Sequence, residues 1–190
     1  MENKIAAQML INDFNEDKRV YSMYCCDGIY MFKKMPESIN KVKLEIEPLE
    51  YYINFNDSTY VKQEEHWDKK YLEKGNLPKY EWDITGKTEE IDGKACTEAI
   101  LESNKEVKAW FYTDVPITVA PLGYYGLPGL TVRIETPVYT LNLKEIKDVQ
   151  PSNITPPTEG TMTNSKKIEE LSKENKEKLF KSADKVTIIK

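Results

Sequence analysis

Short runs of alternating apolar and polar residues, set apart by turn-forming dipeptides, dominate this chain, and a period of two marks half-buried β-strands. Arg19 to Cys25 and Ile29 to Lys34 flank Asp27-Gly28, whose tolerance of positive φ suits a two-residue hairpin loop. Lys41 to Glu47 reads Lys-Val-Lys-Leu-Glu-Ile-Glu, a strand with one face in water. Glu50 to Phe55 and Ser58 to Gln63 surround Asn56-Asp57, a second hairpin, and Lys87 to Ile91 and Lys94 to Leu101 surround Asp92-Gly93, a third. Glu106 to Tyr112 is expected to pair with the strand before it. Leu130 to Glu135 puts Leu130, Val132 and Ile134 on one face and Thr131, Arg133 and Glu135 on the other; Val138 to Ile146 follows a Thr-Pro turn. Hairpins in such succession predict a mainly β fold. A meander that long must curl to hide its apolar side, giving a strongly curved antiparallel sheet, a bowl or open half-barrel.

Two stretches break the alternation. Glu64 to Asn76 is charged and reads as a helical turn or a long surface connection rather than a strand. Pro151 to Gly160 is proline-rich and reads as an extended linker with little capacity to pack. Beyond it Ser165 to Ser182 is dense in Lys and Glu, anchored by Ile168, Leu171, Leu179 and Phe180. This predicts a C-terminal amphipathic helix, or a tail, capped near Asn164 or Ser165. The organisation expected is therefore an antiparallel β domain over 1–150 and a linker with a helix or tail over 151–190.

Composition narrows the function classes. Twenty-seven Lys and Arg stand against 32 Asp and Glu, a formal charge of −5, which repels a nucleic-acid backbone. No apolar stretch is long enough for a transmembrane segment. A single histidine, His66, excludes any site built on two imidazoles, and within Glu64-Glu65-His66-Trp67-Asp68 it reads as part of a solvated connection. No Gly-x-Ser-x-Gly elbow or glycine-rich phosphate loop occurs, so neither a catalytic residue, nor a metal ligand, nor a cofactor is assigned. Paired carboxylates of a hydrolase stand as the remotest alternative. With three cysteines, a single bridge from Cys96 to Cys25 or Cys26 and three reduced thiols both agree with the spacing.

Ala109 to Ile134 carries the most information. Pro116 and Pro121 each lack a backbone donor, so this stretch is no central strand along its length. Pro128 followed by Gly129 is the pairing of a type II turn, with φ positive at the glycine. Trp110, Tyr124 and Tyr125 either present a stacking platform for a ligand such as a sugar or seal one end of the curved sheet.

The hexad Gly126-Leu127-Pro128-Gly129-Leu130-Thr131 resembles the signature of the GLPGLI family of Bacteroidota, departing from it at Thr131, where the family has isoleucine. Trp82-Asp83-Ile84-Thr85, then Ile91-Asp92-Gly93-Lys94-Ala95-Cys96 with Ala99, and Ala109-Trp110-Phe111 with Val115-Pro116-Ile117, extend the resemblance over Leu77 to Ile146. It implies an exported protein, periplasmic, cell-surface or secreted, with its signal removed ahead of Met1. It also implies a fold similar to the non-catalytic, bowl-like N-terminal domain of a secreted peptide:N-glycosidase, and it carries over no catalytic residue. Gly126, Leu127, Pro128, Gly129 and Leu130 would define the fold. The expected function is a non-enzymatic binding or accessory module of the envelope, its partner a glycan or an outer-membrane protein. The alternative is a structural protein docking on an outer-membrane partner.

Overall fold

The computed structural model describes residues 5–12, 18–38, 47–66, 68–137, 140–148, 154–171 and 173–174. Among the described residues twelve strands form one sheet: β1 Ile5–Asn12, β2 Lys18–Cys26, β3 Ile29–Lys34, β4 Glu47–Asn54, β5 Thr59–His66, β6 Lys69–Asn76, β7 Trp82–Ile91, β8 Lys94–Leu101, β9 Lys108–Tyr112, β10 Leu130–Glu135, β11 Thr140–Asp148 and β12 Thr161–Thr163. Their spatial order is β12-β6-β5-β4-β3-β2-β1-β11-β10-β9-β8-β7. Two antiparallel meanders, β1 to β6 and β7 to β11, are thus joined by the pairing of β1 with β11.

This order requires the curvature. Laid flat, β6 and β7 would stand ten strand spacings apart, roughly 48 Å. The connector between them, residues 77–81, reaches at most about 21 Å from Asn76 to Trp82. The sheet therefore bends until its two ends approach each other at that connector, without closing into a barrel. Leu77 N–H donates to Ser58 O at 2.9 Å and Glu102 N–H to Glu81 O at 2.9 Å, so the connector is tied to both walls.

Local sequence explains the tight turns. Asp27 and Gly28 (φ 51° and 74°) and Asp92 and Gly93 (φ 49° and 72°) each take the doubly left-handed geometry that matches strand twist. The Asn56-Asp57 turn is wider than two residues, running from 55 to 58 with Ser58 at φ 57°.

Several expectations are corrected. Glu64 to Asn76 is neither helix nor surface connection: it supplies the end of β5 and all of β6, which pair from Thr59↔Asn76 to His66↔Lys69. Leu130, Val132 and Ile134 do not share a face, because a bulge between Thr131 and Arg133 turns Val132 away from the other two. Leu130 and Ile134 lie in the main core on the inner face, whereas Val132 joins Ile91, Cys96 and Trp110 in a second cluster on the outer face. The proline-rich segment packs rather than floats: Pro157 is buried, Gln63 Nε2 donates to Glu159 O at 2.7 Å, and β12 adds parallel to β6. The chain then enters a helix at 165–171, whose start is capped by Asn164 Oδ1 accepting from Lys167 N–H at 2.9 Å. The strand expected at Lys41 to Glu47 and the helix beyond residue 174 lie outside the described residues.

Candidate functional site

Residues 113–129 leave β9, cross the hollow of the sheet and return as β10. Ile117, Val119 and Leu127 enter the main core with Tyr30, Phe32, Tyr51 and Ile53, so this segment plugs the bowl. Tyr30 O–H donates to Ala120 O at 2.7 Å from the opposite wall, and Gly126 N–H donates to Thr118 O at 2.8 Å within the plug. Leu122, at φ 63°, holds an unfavourable left-handed conformation inside a single 3₁₀ turn, Pro121–Gly123.

The Gly126–Leu130 motif earns its residues differently from the type II turn expected of it. Gly129 is not at positive φ; the left-handed residue is Gly126, at φ 97°. Gly129 is required by proximity, since a Cβ there would lie 2.3 Å from Tyr112 O. Leu127 and Leu130, 1% and 0% exposed, are buried on either side of it.

The three aromatic residues proposed as one platform are not brought together. Trp110 lies on the outer face with Ile91, Cys96 and Val132, its ring covered by Lys87 at 5.9 Å and Arg133 at 5.4 Å. Tyr124 and Tyr125 lie against the main core, beside Tyr80 at 5.1 Å each. Trp82 Nε1 donates to Tyr125 O at 3.0 Å, and Tyr125 O–H donates to Pro78 O, which fastens the plug to the connector. The cysteines divide the same way: Cys25 packs against the main core, Cys96 in the outer cluster, and none of the three forms a disulfide.

What does assemble on the inner face is a wall of tyrosines joined to an ion-pair cluster. Along β5 the period of two aligns Tyr60, Lys62, Glu64 and His66, and their partners on β6 include Tyr71 and Glu73. Lys62 Nζ lies 3.0 Å from Glu73 Oε2 and 3.3 Å from Glu64 Oε1. Tyr60 O–H donates to Glu73 Oε1 at 2.6 Å, and Ser165, at the start of the helix, donates to the same oxygen. Tyr51 stacks on Tyr60 with centroids 5.6 Å apart. Burial pushes the Tyr124 phenol up against a smaller opposing pull from the Lys62 charge, and the Tyr124 ring lies 5.1 Å from that of Tyr80. His66 is 2% exposed, stacked edge-on against Tyr71 at 5.5 Å and 3.8 Å from Glu64 Oε2, so it is a buried residue and not part of a solvated connection.

The electrostatics are those of a preset, charged surface. Burial opposes the Glu73 carboxylate, but hydrogen bonds from Ser165 and Tyr60 and the Lys62 charge outweigh it and hold its pKa below the usual range. Burial likewise opposes the Lys62 ammonium, and Glu64 and Glu73 reverse it, pushing the pKa up. Burial pushes the Tyr80 phenol up to about 12, and pushes Tyr51 and Tyr60 further. The carboxyls that shift among the described residues (Glu73, Glu81, Glu98 and Glu159) all shift downward. A carboxyl acting as general acid near neutral pH needs the opposite displacement. Among the described residues no group of three or more His, Cys, Asp or Glu is arranged to hold a metal ion. Glu64 and Glu73 escape notice in the sequence because Glu64 to Asn76 reads as non-strand, which cuts off the alternation that Tyr60 and Lys62 begin. Extending the alternation through His66 is the signal that finds them.

Residues 51–133 match the model of a family described as a protein of unknown function (Porph_ging). That span runs from Tyr51 through the connector and plug to Arg133, and so contains Tyr60, Lys62, Glu73, Tyr80 and Tyr124. No curated protein matches the sequence. Among solved structures the chain is similar to PNGF-II in two crystal forms. In the C2 form the TM-score is 0.58 at 13% identity, and in the P21 form 0.55 at 12%, each over 90% of this chain and 33% of that one. The chain therefore spans a third of the length of the PNGF-II structures, and at such identities the likeness is one of fold. No helix among the described residues is long and apolar enough to cross a membrane.

Proposed function

We propose that this chain is a GLPGLI-type, exported, non-enzymatic binding or accessory module of a bacterial cell envelope, and that its ligand surface is the inner wall of Tyr51, Tyr60, Lys62, Glu73, Tyr80 and Tyr124. The observation that carries this reading is a run of rings between the plug and the ion-pair cluster: Tyr124 lies 5.1 Å from Tyr80, and Tyr51 stacks on Tyr60, whose O–H donates to Glu73. The plug fills the floor of the bowl, so the surface left for a ligand is the rim. There the half-buried Tyr60, Tyr80 and Tyr124 offer ring faces and Lys62 an ammonium, held in place by the buried Tyr51 and Glu73 behind them, a combination suited to the alternating CH and OH groups of a glycan. Titrating a glycan panel by calorimetry, with Tyr124→Ala and Lys62→Ala alongside, tests it. Saturable binding lost in both variants is expected; a panel without binders, or binding indifferent to Tyr124, sinks the reading.

A second reading, docking on an outer-membrane partner, is favoured by one observation. β7 runs for ten residues at the end of the sheet, exposed from Asp83 to Thr88, with Ile84 49% exposed. Such an edge offers main-chain groups to an added strand. A photo-crosslinker at Ile84 that captures one defined envelope protein in cells, and fails when moved to Met162, would favour this reading over the first.

A further inference from the structure

The outer face of β7 to β11, away from the tyrosine wall, carries a groove of about 630 Å³, within the range of small-ligand sites. Two bulges shape it. In β10 the register shift between Thr131 and Arg133 sends both Val132 and Arg133 outward, and in β11 Lys144 falls between the partners of Gln8 and Met9. Bulges of this kind re-aim side chains, and here they bring cations to the border of an apolar floor made by Ile91, Val132 and Leu143.

Arg133 is held rather than free. Its Nε donates to Asn142 Oδ1 at 3.2 Å, its Nη1 to Glu89 at 2.9 Å, and its guanidinium lies over the Trp110 ring. Lys94 and Lys144 also line the groove and carry no ion pair among the described residues. Of the two acids at the border, Glu145 is engaged by Lys147 at 2.8 Å, leaving Asp92 against the two lysines. On a chain with a net charge of −5, this is a local positive excess beside an apolar floor in which Ile91 and Val132 are buried and Leu143 is half-buried.

We propose that this groove binds an anionic amphiphile, a small molecule whose phosphate or carboxylate meets Lys94, Lys144 and Arg133 while its apolar body lies on Ile91, Val132 and Leu143. The rigid arginine orients the anion and the two lysines supply charge. No covalent chemistry is implied.

The test is a titration of ¹⁵N-labelled protein with dodecyl phosphate below its micelle-forming concentration. Inorganic phosphate and an uncharged dodecyl maltoside serve as separate arms. Saturable shifts confined to residues 91–94, 132–133 and 142–145 are expected. The double variant Lys94→Glu with Lys144→Glu, both at solvent-reached positions, should retain the wild-type spectrum elsewhere and weaken binding at least tenfold. Leu143→Ser, at a half-buried position, should weaken it severalfold. Absence of saturable shifts in the groove, or binding unchanged in the double variant, overturns the proposal. So does equal binding of inorganic phosphate, which would leave the apolar floor idle, or equal binding of the maltoside, which would leave the cations idle.

Discussion

Replacing Gly129 by alanine isolates what the plug motif is for. A Cβ at this position would stand 2.3 Å from Tyr112 O and 2.8 Å from Tyr112 C, about 1.1 Å inside ordinary contact with the oxygen. The obstacle is backbone, so no rotamer change relieves it. Either β9 or the start of β10 must shift, and that strains the Leu130↔Tyr112 pairing and the Leu130 N–H bond to Val115 O, 3.0 Å long. Overpacking of this kind costs roughly 1–3 kcal/mol. Loosening one backbone hydrogen bond adds about 1 kcal/mol. The expected loss is about 3 kcal/mol, which for a domain of this size lowers Tm by roughly 6–12 °C. Gly126→Ala provides the contrast: its φ of 97° disfavours a side chain, but the nearest atoms to a Cβ lie 3.9 Å away, so only backbone strain of about 1–2 kcal/mol is at stake. Urea denaturation followed by tryptophan fluorescence ranks the two variants on one scale. A Gly129→Ala protein more stable than Gly126→Ala, or within 0.5 kcal/mol (roughly the span of neutral surface substitutions) of wild type, would refute the close-approach argument.

Three more outcomes follow from the geometry. Because the folded-state pKa of Glu73 is depressed, its contribution to stability is present above the unfolded carboxyl pKa and is lost as pH falls through the folded value; Glu73→Gln should flatten the acid limb of the urea midpoint plotted against pH, and an unchanged limb contradicts the Lys62–Glu73–Ser165 account. Tyr51, Tyr60 and Tyr80 have raised pKa values, so their stabilisation is complete below about pH 10 and declines as pH rises past it. Absorbance at 295 nm should show Tyr80 ionising only near pH 12 and Tyr51 and Tyr60 only with unfolding, and three freely titrating phenols at pH 10 would contradict their burial. Trp110→Ala should cost about 3–5 kcal/mol as a core truncation under two cations, whereas Tyr124→Ala, half-buried at the rim, should cost less; the reverse order in thermal melts would mean that the faces have been exchanged.

Much of the fold was legible because hairpin chemistry is local. The Asp27-Gly28 and Asp92-Gly93 turns, and the strands flanking them, need only neighbours in sequence to be inferred, and the curvature follows from the length of an alternating meander. The wall around Lys62 was hidden by its charge. Beyond Val61 the residues of β5 are all polar or charged, so no apolar periodicity marks its end, and the Glu73 carboxylate that Tyr60 and Lys62 meet is completed by Ser165 from distant sequence. Trp110 was placed with Tyr124 because both lie in one aromatic-rich stretch; strand pleating puts Trp110 on the face opposite Phe111, which a linear reading does not weigh.

The amino-acid sequence by itself determined an antiparallel, curved sheet, its Asp-Gly corners and the exclusion of two-histidine chemistry, since these rest on backbone preferences and residue counts. Tertiary structure alone decided which face each side chain occupies and what it meets there. A single bulged residue sends Val132 to the face opposite Leu130 and Ile134, and a five-residue connector draws together strands that pairing order places at opposite ends of the sheet. Such effects are set by distances between remote segments, and no local pattern records them.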